Sequence, residues 1–189
     1  MTSLQQILSN PGGTFCGVRA TQVPLDYHLW ETLLNEHPDA EAILELGTAY
    51  GGFSLFLKLQ AQVRGLDFLT FDISDHSKDP LSTQFGQPPV RQPTGYPWLD
   101  NSFHKVDLLN DASKVQAMIQ KYGKIILFCD NGHKAKEVEL YAPYVALGSL
   151  VIVHDWNSEI GAEDIPEYLT PLYENFCDTT SSWTRVFQK

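Results

Sequence analysis

"ILELGTAYGGFSLFL", residues 43–57, is an apolar run that passes through an acid at Glu45, turns at Gly47, Gly51 and Gly52, and becomes apolar again. A strand-length apolar run leading through glycines into a helical pattern opens a βαβ unit. AILEL (42–46) reads as the strand, and a helix begins in the stretch Gly51 to Leu59. The same order then recurs along the chain. DFLTFDI (67–73), SFHKVDL (102–108), KIILFCD (124–130) and SLVIVHD (149–155) read as further strands, and WTRVFQK (183–189) as a last one. Of these, 124–130 and 149–155 are nearly continuous apolar runs, as strands buried on both faces of a parallel sheet are.

Helices fill the intervals. PLDYHLWETLLNE (24–36) is amphipathic, and DASKVQAMIQKYG (111–123) is opened by Asn110 or Asp111 and closed by Gly123. HKAKEVELYAPYVAL (133–147) ends before Gly148, and IPEYLTPLYENF (165–176) reads as a last helix, kinked or divided at Pro171. The alternation predicts an α/β fold: a doubly wound, mostly parallel sheet with helices on both faces, in a single domain over residues 1–189. Residues 1–38 read as a helical cap segment before the first strand. Between 76 and 100 the chain has five prolines, two glycines and no sustained period, which predicts a long irregular loop. Phe85, Tyr96 and Trp98 leave it open between a substrate-covering lid and a free linker.

Composition narrows the functions. With 189 residues, 43% hydrophobic and 19% charged, the chain suits one globular domain and has no apolar run of the ~20 residues that span a bilayer. The N-terminus lacks a basic region and an apolar core, so no secretory signal is read and a cytoplasmic location is expected. Cys16, Cys129 and Cys177 are widely spaced, without a Cys-x-x-Cys pair, and read as reduced and structural. A net charge of −10 with no basic patch argues against nucleic acid. A small-molecule partner is therefore expected, with no membrane partner; a homo-oligomer stays open.

In doubly wound sheets, ligands sit beyond the carboxyl ends of the strands. Those ends are Glu45–Gly52, Asp72–Ser74, Asp107, Asp130–His133 and Asp155–Asn157, and each contains an acid. A dinucleotide turn reads G-x-G-x-x-G so that the backbone can approach a pyrophosphate. Here Ala49 occupies the second glycine's position and Glu45 adds an acid, both unfavourable to a diphosphate. Glu45 facing an ammonium, the 47–51 backbone passing close by, and Asp72 accepting ribose hydroxyls together suit S-adenosylmethionine.

ELGTAYGG, FDI and KVDLLND in that order resemble the successive motifs of the class I S-adenosylmethionine-dependent methyltransferases, over roughly residues 40–157. The resemblance implies that Glu45, Gly47, Thr48, Tyr50 and Gly51 wrap the methionine part, Asp72 and Ile73 the ribose, and Asp107 with Leu108 the adenine edge. Asp130 joins the same cofactor-binding set. A narrower likeness lies outside those motifs. Gln22, Pro24 and Asp26, then Asp130, His133 and Val138, are similar to the patterns of the cephalosporin hydroxylase and small-molecule O-methyltransferase branch.

That branch implies a magnesium ion held by Asp130 and Asp155, with His133 and Asp155 in catalytic roles, His133 as general base. The chain departs from the pattern at His154, where many relatives have an acid, and at Trp156, where others have Asn. Asn157 or Glu159 then stand as third ligands. The reading is a methyltransferase acting on an oxygen of a small molecule; the alternatives are a methyltransferase-like module without catalysis and an NAD-linked oxidoreductase. Tyr96, Trp98 and Trp156 are candidate walls for the acceptor, against a plain packing role.

Overall fold

Alternate residues of the apolar strands face opposite sides, and this places the core on both faces of one sheet. The computed structural model describes residues 13–76, 96–180 and 182–189. A hairpin of β1 (Gly13–Phe15) and β2 (Val18–Ala20) leads into helix α1 (Pro24–Glu36). Then come β3 (Ala42–Leu46), α2 (Gly52–Arg64), β4 (Asp67–Asp72) and β5 (Phe103–Lys105). After them lie α3 (Ala112–Ile119), β6 (Ile125–Cys129), α4 (Lys134–Tyr141) and β7 (Leu150–Val153). β8 (Thr170–Leu172), α5 (Glu174–Thr180) and β9 (Arg185–Gln188) close the chain. Most of the 76–100 stretch and the first twelve residues of the cap segment lie outside the described residues.

The seven strands run in the order β5-β4-β3-β6-β7-β9-β8. β5, β4, β3, β6 and β7 are parallel neighbours, while β9 pairs antiparallel with both β7 and β8. The expected doubly wound, mostly parallel α/β sheet is what forms. Ile43, Ile126, Phe128 and Ile152 point to the face covered by α1 and α2, with Trp30 packed edge-on to Phe128 at 5.1 Å between ring centres. Leu44, Leu127, Val151 and Val153 point to the other face, covered by Val115 and Ile119 of α3 and Val138 and Tyr141 of α4. Burying each such side chain contributes roughly 1.5–3 kcal/mol. No helix among the described residues is long and apolar enough to cross a membrane.

Four elements differ from the sequence reading. Residues 165–176 do not form one helix: Pro171 sits in β8, at the sheet's edge, where a missing N–H breaks no inner ladder. The strand expected at 102–108 stops at Lys105, because the Asp107 carboxylate accepts the N–H groups of Leu109 and Asn110 and turns the chain. Helix α4 ends at Tyr141 and passes into a short 3-10 turn, Ala142–Tyr144, where Pro143 has no N–H to continue the ladder. The β1–β2 hairpin was not read from the sequence, since its two strands are only three residues each.

Candidate active site

The glycine turn is built by close approach. Gly47 has φ +107°, and a Cβ there would lie 2.6 Å from the Asp130 carbonyl oxygen, so the ends of β3 and β6 touch only because the side chain is absent. At Gly52 a Cβ would lie 2.1 Å from the Arg19 carbonyl oxygen. Strand β2 therefore rests on the first residue of α2. Ala49 has φ +46°, a conformation unfavourable for a residue with a Cβ, and it is held from both sides. Its N–H donates to Asp72 Oδ2 at 3.0 Å, and its carbonyl accepts the Tyr96 hydroxyl.

A narrow cleft opens beside this turn. Gly47, Thr48, Tyr50 and Gly51 line it with Glu45 and Asp130, so six of the residues expected around the cofactor meet in one place. Arg19, Gln22 and Gly52 also line it and were not among the cofactor residues read from the sequence. The Arg19 guanidinium stacks 4.2 Å from the centre of the Tyr50 ring, a cation–π contact. Asp72 is buried next to the turn, its second oxygen accepting the Ser74 N–H at 3.1 Å.

Glu45 is more deeply enclosed than its sequence reading implies. Its carboxyl is fully buried in the cleft floor and accepts the hydroxyls of Ser54 and Thr70, with Thr48 bonded to Thr70 at 2.6 Å. Desolvation pushes its pKa up to about 8, so with no cation beside it the carboxyl holds a proton at neutral pH, and an ammonium brought into the cleft would lower that value. Three other residues stand apart from the cleft lining. Ile73 is 55% exposed. Asp107 spends both carboxylate oxygens on its own turn, bonding Leu109, Asn110 and the Asn110 amide, and those bonds hold its pKa low. Leu108 is buried in the core beneath α3 and α4.

At the ends of β6 and β7, Asp130, His154 and Asp155 place their donor atoms within 4.8 Å of one another. His154 Nδ1 lies 3.1 Å from Asp130 and 3.3 Å from Asp155, and its Nε2 lies 3.5 Å from buried Asp26. These carboxylates hold the imidazole pKa well above its ordinary value even though burial opposes that. Lys134, only 2% exposed, reaches into the same cluster from the first residue of α4. Its ammonium lies 2.8 Å from Asp155 and 2.7 Å from Glu159, and bonds the Asn131 carbonyl at 2.9 Å. Against the desolvation, Asp155 is held well below the carboxylate range by His154 and Lys134.

His133 does not join this group. It precedes α4 with its ring exposed, and no ion pair links it to Asp130 or Asp155. The helix turn that exposes His133 carries the next residue inward, so Lys134 enters where the general base was expected. Magnesium fits the donor set poorly. It takes hard oxygen ligands in an octahedral shell, whereas here the carboxylates face an ammonium, an imidazole and, at 2.6 Å, the Gln22 amide.

The family model described as rhamnosyl O-methyltransferase/CmcI matches residues 11–172. The chain belongs to that family. Membership makes it a methyltransferase of the S-adenosylmethionine-dependent, oxygen-directed kind, as the motif order implied. Among solved structures, it is similar to a cmcI structure with SAH at a TM-score of 0.62 and 14% identity, covering 94% of this chain and 81% of that one. That likeness shows the shared fold. A second similar structure is the MycE methyltransferase from the mycinamycin biosynthetic pathway, in complex with Mg, SAH and mycinamycin VI. There the TM-score is 0.44 and the identity 20%, over 69% of this chain and 32% of that one. No curated protein matches the chain.

The residues that sequence reasoning passed over share a cause. Lys134 sits four residues after Asp130, but Asp130 follows β6 and lies outside α4, so helical charge spacing gave no signal and the acids meet the ammonium only in the fold. Arg19 gave none, because only the docking of β2 on Gly52 brings it to the cleft.

Proposed function

We propose that the chain moves the sulfonium methyl of S-adenosylmethionine to a hydroxyl oxygen of a small-molecule acceptor. The observation that carries this reading is the meeting of Gly47, Thr48, Tyr50, Gly51 and Asp130 in one cleft, with Asp72 bonded to Ala49 beside it. The methionine part lies along the 47–51 backbone under Tyr50, and the ribose hydroxyls go to Asp72. Ile73 and Asp107 flank the adenine, while Leu108 stays in the core beneath them. SAH in the cmcI structure supports the choice of cofactor.

In the reaction the carbon–sulfur bond breaks as the carbon–oxygen bond forms, SAH leaves as a neutral thioether, and the hydroxyl proton passes to solvent or a base. Because the methyl is already activated, the protein's part is alignment of the two reactants. Asp155, with 23% of its side chain exposed, accepts a hydrogen bond from the acceptor hydroxyl and orients it. Its lowered pKa makes it an orienting group rather than a proton acceptor. The reading requires no magnesium at Asp130 and Asp155, whose oxygens already face Lys134, His154 and Gln22.

Calorimetric titration of SAH and NAD, each alone, tests this. SAH should bind and NAD give no heat, and Asp72→Ala should weaken SAH binding by about tenfold or more, the scale of a lost charged hydrogen bond. Binding of NAD with no heat from SAH would overturn the reading.

A further inference from the structure

Every carboxylate oxygen of Asp130 and Asp155 already has a partner. Asp130 Oδ2 accepts the Gln22 amide at 2.6 Å, and its Oδ1 lies 3.1 Å from His154 Nδ1. Asp155 Oδ1 lies 3.3 Å from that same nitrogen, and its Oδ2 lies 2.8 Å from Lys134 Nζ. The ammonium is also complete. An ammonium has three donors, and these meet Asp155, Glu159 and the Asn131 carbonyl, while Asp130 Oδ1 lies 3.9 Å away. A buried lysine so enclosed cannot swing out without taking its charge from three carboxylates, and a divalent cation between Asp130 and Asp155 would meet that positive charge at close range.

We propose that this centre works without a divalent metal, with the Lys134 ammonium standing in the metal's place and fixing Asp130, Asp155 and Glu159 around it. Lys134 is a positioning residue: too buried to touch an acceptor, it sets where the half-open Asp155 carboxylate points. The inference rests on the methyl-transfer reading only in treating this centre as the acceptor end of the cleft.

Manganese, a paramagnetic stand-in for magnesium, is the probe. Purified wild-type protein, Lys134→Ala and Lys134→Gln are titrated with MnCl₂ and the free ion is read by electron paramagnetic resonance. The wild type should leave the ion free, and at least one folded lysine variant, with three acids no longer neutralised, should bind it about tenfold more tightly or better. Manganese uptake by the wild type that Asp155→Asn abolishes overturns the proposal. So does uptake by folded lysine variants no greater than the wild type's. The wild-type arm stands even where the variants fail to fold. SAH titration of the wild type in EDTA separates the two readings: binding there with manganese uptake at Asp155 sinks the metal-free centre alone, and no binding sinks the cofactor reading alone.

Discussion

Replacing Glu45 by glutamine should change how the stability of the fold depends on pH. The carboxyl is wholly enclosed, and burial lifts its pKa from 4.5 to about 8. Between those values the unfolded chain has released the proton and the folded chain holds it. Stability is therefore full below about pH 4.5 and declines as pH rises toward 8, at about 1.4 kcal/mol per pH unit for this one group. From about pH 5.5 to about pH 8 the loss is about 3 kcal/mol, a large share of a typical domain's stability. The amide of Glu45→Gln is not ionisable, and its carbonyl can accept the Ser54 and Thr70 hydroxyls, so the variant lacks this contribution. Glu137, on the buried face of α4 and also lifted to about 8, gives the variant a residual slope of the same sign. The assay is urea unfolding followed by tryptophan fluorescence at the two pH values. The stability of Glu45→Gln relative to wild type should rise by about 3 kcal/mol between them. A difference that stays constant to within about 1 kcal/mol would refute the claim that this carboxyl is protonated in the folded state.

Two further outcomes follow from packing. Gly52→Ala puts a Cβ 2.1 Å from the Arg19 carbonyl oxygen and should destabilise by about 1–3 kcal/mol while weakening SAH binding, because β2 carries Arg19 into the cleft wall. Gly13→Ala, whose Cβ meets nothing within 4 Å, is the control for thermal melting and calorimetry and should change neither. Trp30→Ala empties a fully buried indole site beneath Phe53 and Phe128 and should cost about 3–5 kcal/mol in denaturant unfolding, and it removes a ring contact with Phe53, which lines the cleft.

The central parallel strands were legible because a strand buried on both faces is largely apolar, and Ile125–Cys129 and Leu150–Val153 are apolar throughout. The glycine turn and Asp72 were legible for a related reason: a fold of this class puts its ligand groups at strand ends, which sequence order alone locates. What escaped depended on distant contacts. Leu169 and Leu172 have apolar spacing that suits a helix, and only the pairing of Pro171 opposite Phe187 makes that stretch an edge strand. Glu45 looked like a charge because sequence shows an acid, not the enclosure that raises its pKa against the Ser54 and Thr70 hydroxyl bonds. Lys134 was passed over, since the acids that enclose it come from two strand ends and a following turn.

Asp26 joins segments far apart in the chain. Buried at the start of α1, it accepts the hydroxyls of Ser182 and Thr184 at 2.9 Å each, across 156 and 158 positions, and faces His154. The cofactor turn and the acidic centre therefore draw on different parts of the chain. The glycine turn is held by contacts with Asp72, Tyr96 and Arg19, whereas the acid facing His154 is held in part by hydroxyls that only the approach to the last strand delivers. A change that loosens residues 182–184 reaches the imidazole without touching a residue of the turn.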